Sequence, residues 1–230
     1  MNINKPKDAA SLILFKIINN KIHILMGRRP ARQKFMPNIF VFPGGAVEKE
    51  DEGVEYVKDY TKLDLQAISH NCSKKRARAI GLAAIRETYE ETGILVGESN
   101  CRFTRPQPIS WNTFVRNKIK PRLDILTYIA RAVTPKEQNK RFNARFFLCD
   151  AKFCHGSINQ NEELLNIDWY SIEKIFSKLK LAQVTQLVVQ KAKERLENKS
   201  INHSNLIIPT YSRRKGKRVI RNKFFGEIDY

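Results

Sequence analysis

A mixed α/β fold is what the sequence predicts, on three observations. Two apolar runs, "AASLILFKI" and "KIHILMGRR", flank an Asn-Asn pair and read as a β-hairpin. A long helix follows from Ser73 as N-cap to Gly93 as stop, over "KKRARAIGLAAIRETYEET". Strand-like and helical segments then alternate with no internal repeat and no low-complexity linker, so residues 1–230 are expected to form one domain.

The elements justify themselves in order. "NIFVFPGG" is a short strand closed by Pro-Gly-Gly, which breaks regular structure. From Ala46 to Cys72 the chain turns acidic and irregular, with some helical character in "EKEDEGVEYVKDYTKLDLQ". In the long helix Ala79, Leu82, Ala83 and Ile85 supply core positions. Gly81 there costs up to about 1 kcal/mol relative to Ala, so a close contact is its expected reason. "LDILTYIARAV" and "RFNARFFLCDA" are strand candidates joined by a polar link. "ELLNIDWYSIEKIFSKL" reads as a strand entering a short helix, and "AQVTQLVVQKAKERLENK" as an amphipathic helix. The basic end, "YSRRKGKRVIRNKFFGEIDY", reads as a strand with loose flanks.

At 42% hydrophobic and 28% charged residues, the composition is that of a globular chain and not a disordered one. No run approaches eighteen apolar residues, which excludes a spanning helix, and "SLILFKI" fits a first strand better than a signal peptide. A cytoplasmic protein is expected. Cys72, Cys101, Cys149 and Cys154 have irregular spacings and no CxxC, so reduced, packed thiols are expected in place of structural zinc. The net charge of +19 fits nucleic acid, an anionic surface, a phosphate-rich small substrate or only a solvated basic surface, and alone does not choose between them.

Against that surplus stands "AAIRETYEETGIL", with Glu87, Glu90 and Glu91 in five positions of one helix. The spacings i, i+3 and i+4 put them on one face, where like charges repel by a few tenths of a kcal/mol per pair. They also lie late in the helix, where the macrodipole disfavours negative charge. Such a cluster costs stability unless something cationic sits on it, either as a solvated face paired with Arg86 and lysines or as ligands of a hard divalent cation.

The residues "RETYEETGI", preceded by "FPGG" at Phe42–Gly45, resemble the Nudix box, whose second half is R-E-U-x-E-E-x-G-U with U a bulky apolar residue. Thr88 stands at the first U. The resemblance implies an α/β/α sandwich with a mixed β-sheet, and a magnesium- or manganese-dependent hydrolase of nucleoside diphosphates linked to another moiety. In the family pattern, G-x5-E-x7-R, Arg follows Gly by 14 positions, whereas Gly45 and Arg86 lie 41 apart, which leaves 27 extra residues. Asp51 fills the intermediate glutamate's place counting forward from Gly45, and Arg78 fills it counting back from Arg86. An insertion over about residues 46–73 is therefore expected, along with a basic C-terminal segment from about residue 209.

A split box of this kind is similar to the coenzyme A diphosphatase-like branch. A coenzyme A pattern of another branch is met at Arg29, while Lys34 and Asn38 stand where Arg and Gly are expected. The resemblance implies Mg2+ or Mn2+ held by Glu87, Glu90 and Glu91 with the carbonyl of Gly45 or Ala46. Arg86 would orient a glutamate, and Glu163 or Glu162 would supply a further carboxylate. Arg28, Arg29, Arg32 and Lys34 are the candidate substrate-phosphate ligands, or else only a basic loop tip. "LDLQAI" in the insertion is expected to shelter an apolar substrate arm, or else to pack on the outside of the sandwich. The expected activity is a pyrophosphatase acting on a small nucleoside diphosphate derivative, with coenzyme A or acyl-coenzyme A as the finer reading and a homodimer compatible with it. The alternatives are an RNA-directed enzyme acting on 5′ ends and a non-catalytic nucleotide-binding module.

Overall fold

The computed structural model describes residues 5–33, 36–160, 162–198, 205–214 and 216–226. Strands β1 (Lys7–Ile18) and β2 (Lys21–Arg28) form the expected hairpin. Its turn residues Asn19 and Asn20 both have positive φ, 48° and 59°, the conformation a tight two-residue hairpin needs and asparagine tolerates. β3 (Phe40–Val41) and β4 (Gly44–Ala46) follow, then a 3-10 turn at Glu50–Gly53, α1 (Lys62–Ser69) and α2 (Lys74–Thr92). The remaining elements are β5 (Leu95–Val96), α3 (Asn112–Arg116), β6 (Thr127–Val133), β7 (Phe142–Asp150), β8 (Cys154–His155) and β9 (Leu165–Ser171). α4 (Ile172–Lys178), α5 (Gln183–Glu197), β10 (Asn205–Arg214) and β11 (Lys217–Gly226) complete the chain.

The main sheet is mixed, in the order β11-β10-β6-β7-β1-β2-β3, with β4 on β1 and β9 on β2. β1 runs parallel to β7 from Lys7↔Phe142 to Phe15↔Asp150, at the centre of the sheet. That position explains its unbroken apolar run, since both faces are covered. Leu12 and Leu14 join one core with Ile80, Leu82, Ala84 and Ile85 of α2, while Ile13 joins the other with Ile175 of α4 and Val188 and Val189 of α5. The result is the expected α/β/α sandwich. Among the described residues no helix is long and apolar enough to cross a membrane.

The edge of β1 changes partner along its length. Ile18 to Phe15 pair with β2, whereas Ser11 to Ala9 pair with Gly44 to Ala46 of β4, and Leu12 N–H donates to Pro43 O. This brings the Pro-Gly-Gly turn beside the C-terminal half of α2.

Residues 46–73 do not form a free loop. Val54, Tyr60, Ala67 and Ile68 are buried in the core shared with α2, and the Asp64 carboxylate accepts the Tyr128 N–H at the head of β6. Ala67 and Ile68 of "LDLQAI" are thus spent on packing, the second of the two readings of this segment. An amphipathic helix with an uncovered sheet beside it buries its own apolar face. Tyr60 also accounts for Gly81: its hydroxyl occupies the place where a Cβ on residue 81 would stand, and its ring stacks on Phe147. The basic end, expected as one strand, forms two, β10 and β11, paired along ten residue pairs.

Gly81→Ala is expected to destabilise the protein by about 1–3 kcal/mol by overpacking, although alanine is the better helix former. Tyr60→Phe in the same chain should recover part of that loss. A denaturant melt in which Gly81→Ala is more stable than wild type would contradict this packing.

Candidate active site

α2 starts where Ser73 accepts the Arg76 N–H and stops where Gly93, at φ 77°, enters the left-handed region and donates to Tyr89 O. Between these caps, the last turns carry Arg86, Glu87, Glu90 and Glu91. Thr88, the departure from the apolar pattern, is fully buried, and its hydroxyl donates to Ala84 O at 2.7 Å, so no polar atom is stranded.

Arg86 is 2% exposed and spends its guanidinium in several directions. Nε donates to Asp51 Oδ1 at 2.9 Å and Nη2 to Asp51 Oδ2 at 3.2 Å. Nη1 donates to Glu87 Oε1 at 3.0 Å and to Glu90 Oε2 at 2.8 Å, and Nη2 also reaches Ala46 O at 3.0 Å. Asp51 is wholly buried and also accepts the Glu48 N–H at 2.9 Å. Burial alone would depress the guanidinium's pKa, but Asp51, then Glu87 and Glu90, more than offset it and hold it above its ordinary value. The two candidates for the displaced box residue are thereby separated. Asp51 meets Arg86, whereas Arg78 pairs with Asp59 at 2.7 Å.

Glu91 is 8% exposed, and its Oε2 accepts the Gly44 N–H at 2.8 Å. Burial, with the charges of Glu87 and Glu163, pushes its pKa up to about 8 against the opposing Gly44 N–H and Arg29. Glu87 is pushed to about 7 by burial, with Arg86 opposing and Glu90 and Asp51 adding. Burial likewise raises Glu90. Gly45 lies so close to Glu87 that a Cβ there would overlap its carboxylate. Only glycine allows the main chain this approach.

Among the described residues no three His, Cys, Asp or Glu side chains stand in metal-holding geometry, since Arg86 draws Glu87 and Glu90 while Gly44 draws Glu91. The donor chemistry nevertheless fits a hard divalent cation. Three carboxylates on one helix face, all with raised pKa values, stand by the main chain at Gly45, and a bound cation would offset the charge that burial disfavours. Ala46 O is engaged by Arg86, which leaves Gly45 as the main-chain candidate.

Of the other sequence candidates, Arg29 and Glu163 come within electrostatic range of Glu91, from opposite signs. Arg28 is held by Asn38 Oδ1 at 2.9 Å and Asn166 Oδ1 at 3.3 Å. Arg32 donates to Glu162 Oε2 at 2.6 Å and Gln33 to Glu163 O at 3.2 Å, which docks the two loops on one another. Lys34 lies outside the described residues. Asp51 and Gly44 are the site members that the glutamate pattern did not supply as candidates. For Asp51 the signal was its spacing from Gly45; for Gly44 there was only its place in Pro-Gly-Gly.

No family model matches the chain. It is 22% identical over 198 residues to "Acyl-coenzyme A diphosphatase NUDT19" of Xenopus laevis, covering 64% of this chain and 52% of that protein. It is 34% identical over 89 residues to "Putative nudix hydrolase 7" of Caenorhabditis elegans, covering 39% of this chain and 22% of that one. The chain thus spans about half the length of the first relative and less of the second. Its fold is similar to that of the crystal structure of a NUDIX hydrolase from Alicyclobacillus acidocaldarius, with a TM-score of 0.64 and 23% identity over 87% of this chain and 99% of that one. The fold is the Nudix hydrolase fold.

The buried carboxylates make a pH prediction for the metal-free protein. Glu91 and Glu87 have ordinary values of 4.5 and folded values of about 8 and about 7. Their contribution to stability is therefore full below about pH 4.5 and is lost as pH rises through the folded values, because the unfolded chain releases those protons first. The melting temperature in chelator should fall across that interval, and Glu91→Gln should flatten the fall. A melting temperature that climbs over the same range would contradict the buried state of these groups.

Proposed function

We propose that the protein is a divalent-metal-dependent Nudix hydrolase that cleaves the pyrophosphate bond of a nucleoside diphosphate derivative. The observation that carries this reading is the arrangement around Arg86, which gathers Asp51, Glu87 and Glu90 while Gly44 fixes Glu91. Glu87, Glu90 and Glu91, with the Gly45 carbonyl, would hold Mg2+ or Mn2+. When bound, such a cation neutralises charge on pyrophosphate oxygens and acidifies water.

The chain's own residues supply the rest. Arg86 positions Glu87 and Glu90 without touching substrate, and Asp51 keeps its guanidinium from turning away. Glu91, or Glu163 whose charge is felt at Glu91, would take a proton from the attacking water. Arg29, half-buried and within electrostatic range of Glu91, is the candidate to meet a substrate phosphate.

For the finer substrate we favour coenzyme A or acyl-coenzyme A. The Xenopus laevis relative carries that activity in its name. Asn38, where the coenzyme A pattern has glycine, adopts a positive φ of 58°, a backbone that asparagine supports better than most residues. A screen of acyl-coenzyme A, coenzyme A, ADP-ribose and dinucleotide substrates with Mg2+ or Mn2+, read by phosphate release after phosphatase, tests this ranking.

Glu90→Gln and Glu91→Gln are each expected to lower turnover by about 10²–10⁴-fold while the fold is kept. Wild-type turnover in either variant would remove the assignment. Millimolar Mg2+ or Mn2+ should also raise the melting temperature, because a ligand of the folded state stabilises it by mass action. That rise should disappear in Glu87→Gln/Glu91→Gln, and a melt indifferent to both ions would count against the site.

A further inference from the structure

The basic surplus of the chain is not evenly neutralised. Between Asn205 and Gly226 there are seven Lys and Arg and no Asp or Glu. Several arginines elsewhere are matched by carboxylates: Arg76 by Asp8, Arg78 by Asp59, Arg122 by Asp124, and Arg145 by Asp8. Arg213, Lys217, Arg218, Arg221 and Lys223, by contrast, form no ion pair with a carboxylate among the described residues. Arg213 reaches only the Gln183 amide, and Lys223 the His70 ring.

Geometry places this charge on an open ribbon. β11 is the edge strand of the sheet, and the register of β10 on β6 covers only Thr210 and Tyr211. Beyond Tyr211 the two strands pair only with each other. Partners across the ribbon share a face. On one face Arg213 stands opposite Arg218, Tyr211 opposite Ile220, and Ile207 opposite Phe224. Ile207, Ile220 and Phe224 are 50%, 45% and 46% exposed, a large apolar allowance for an edge ribbon that is otherwise basic. Arg213 and Arg218 thus share a face with an exposed ring and two aliphatic side chains, while Lys217, Arg221 and Lys223 alternate to the other face of the same edge strand. Cations beside an exposed ring suit a ligand with phosphates along one side and flat apolar faces along the other.

We propose that the β10–β11 ribbon binds single-stranded nucleic acid, with Arg213 and Arg218 on the phosphates beside Phe224 against a base, and Lys217, Arg221 and Lys223 adding positive field from the ribbon's other face. Charge complementarity selects this occupant. A second copy pairing along β11 would bring together two strands that each carry four Lys or Arg and no Asp or Glu, which opposes such an edge-to-edge dimer. The surface is separate from the glutamate helix. Four strand spacings of about 4.8 Å lie between β11 and β1, so a strand held here runs about 20 Å from the β1 axis.

The test measures fluorescence anisotropy of a labelled single-stranded RNA oligonucleotide against salt, using the full chain. Wild type should bind with log affinity falling linearly in log salt, and Arg213→Gln/Arg218→Gln/Arg221→Gln should reduce that slope by about 1–2. Phe224→Ser should weaken binding by about fivefold or more at fixed salt and leave the slope unchanged. Both variants should melt at the wild-type temperature, since the substituted side chains are exposed. Equal affinity and slope in wild type and the triple variant would overturn the proposal. Capture by phosphatidylserine vesicles with no binding of the oligonucleotide would overturn it as well.

Discussion

The Arg86–Asp51 ion pair is the constraint on which the rest of the site depends. Both side chains are essentially removed from water. A buried pair adds little net stability compared with apolar packing, but leaving either partner alone costs about 3–5 kcal/mol. The pair is therefore better understood as a specificity device than as a source of stability. With Asp51 on one side of the guanidinium, the remaining donors must face Glu87, Glu90 and the Ala46 carbonyl. One arginine thus fixes the 3-10 turn, β4 and the end of α2 against one another.

The sheet supplies the opposite wall. Because β1 exchanges β2 for β4 at Ser11–Leu12, the Gly44–Ala46 segment lies on α2 and not in solvent. Gly44 then ties Glu91, and Gly45 admits Glu87 to within contact. The site carries its cost in buried carboxylates, which the metal-free protein meets by raising their pKa values. Residues 46–73 support this arrangement from behind, through Tyr60, Ala67 and Ile68 in the core.

Local signals were the legible ones. The Asn-Asn turn of the β1–β2 hairpin, the Ser73 and Gly93 caps of α2 and the common face of three glutamates are each set by neighbours in sequence. What sequence reading missed was set by distant partners. Spacing alone left Asp51 and Arg78 as equal candidates, because the arginine that decides between them lies 35 positions from Asp51. A close contact was expected at Gly81, but its partner, Tyr60, lies too far off in sequence to be named from the helix pattern. β5 and β8 contain two residues each and exist only by pairing with each other, so no periodicity announces them. β10 begins before the basic run that drew attention, since Leu206 and Ile208 belong to the core while Arg213 and its neighbours belong to solvent.

The chain thus separates its charges into two places: a small acidic centre held by one buried arginine, and a basic ribbon at the far edge of the sheet. The claim that most needs testing is that the glycine turn, residue 51 and the helix form one unit despite their separation in sequence. A double-mutant cycle on unfolding free energy, using Arg86→Met and Asp51→Asn in chelator, addresses it directly. Each single variant should lose about 3–5 kcal/mol, and the double variant should lose less than their sum by about 1–3 kcal/mol. Losses that add to within about 0.5 kcal/mol would mean that the two residues act independently, and the account of a single reassembled site would be wrong.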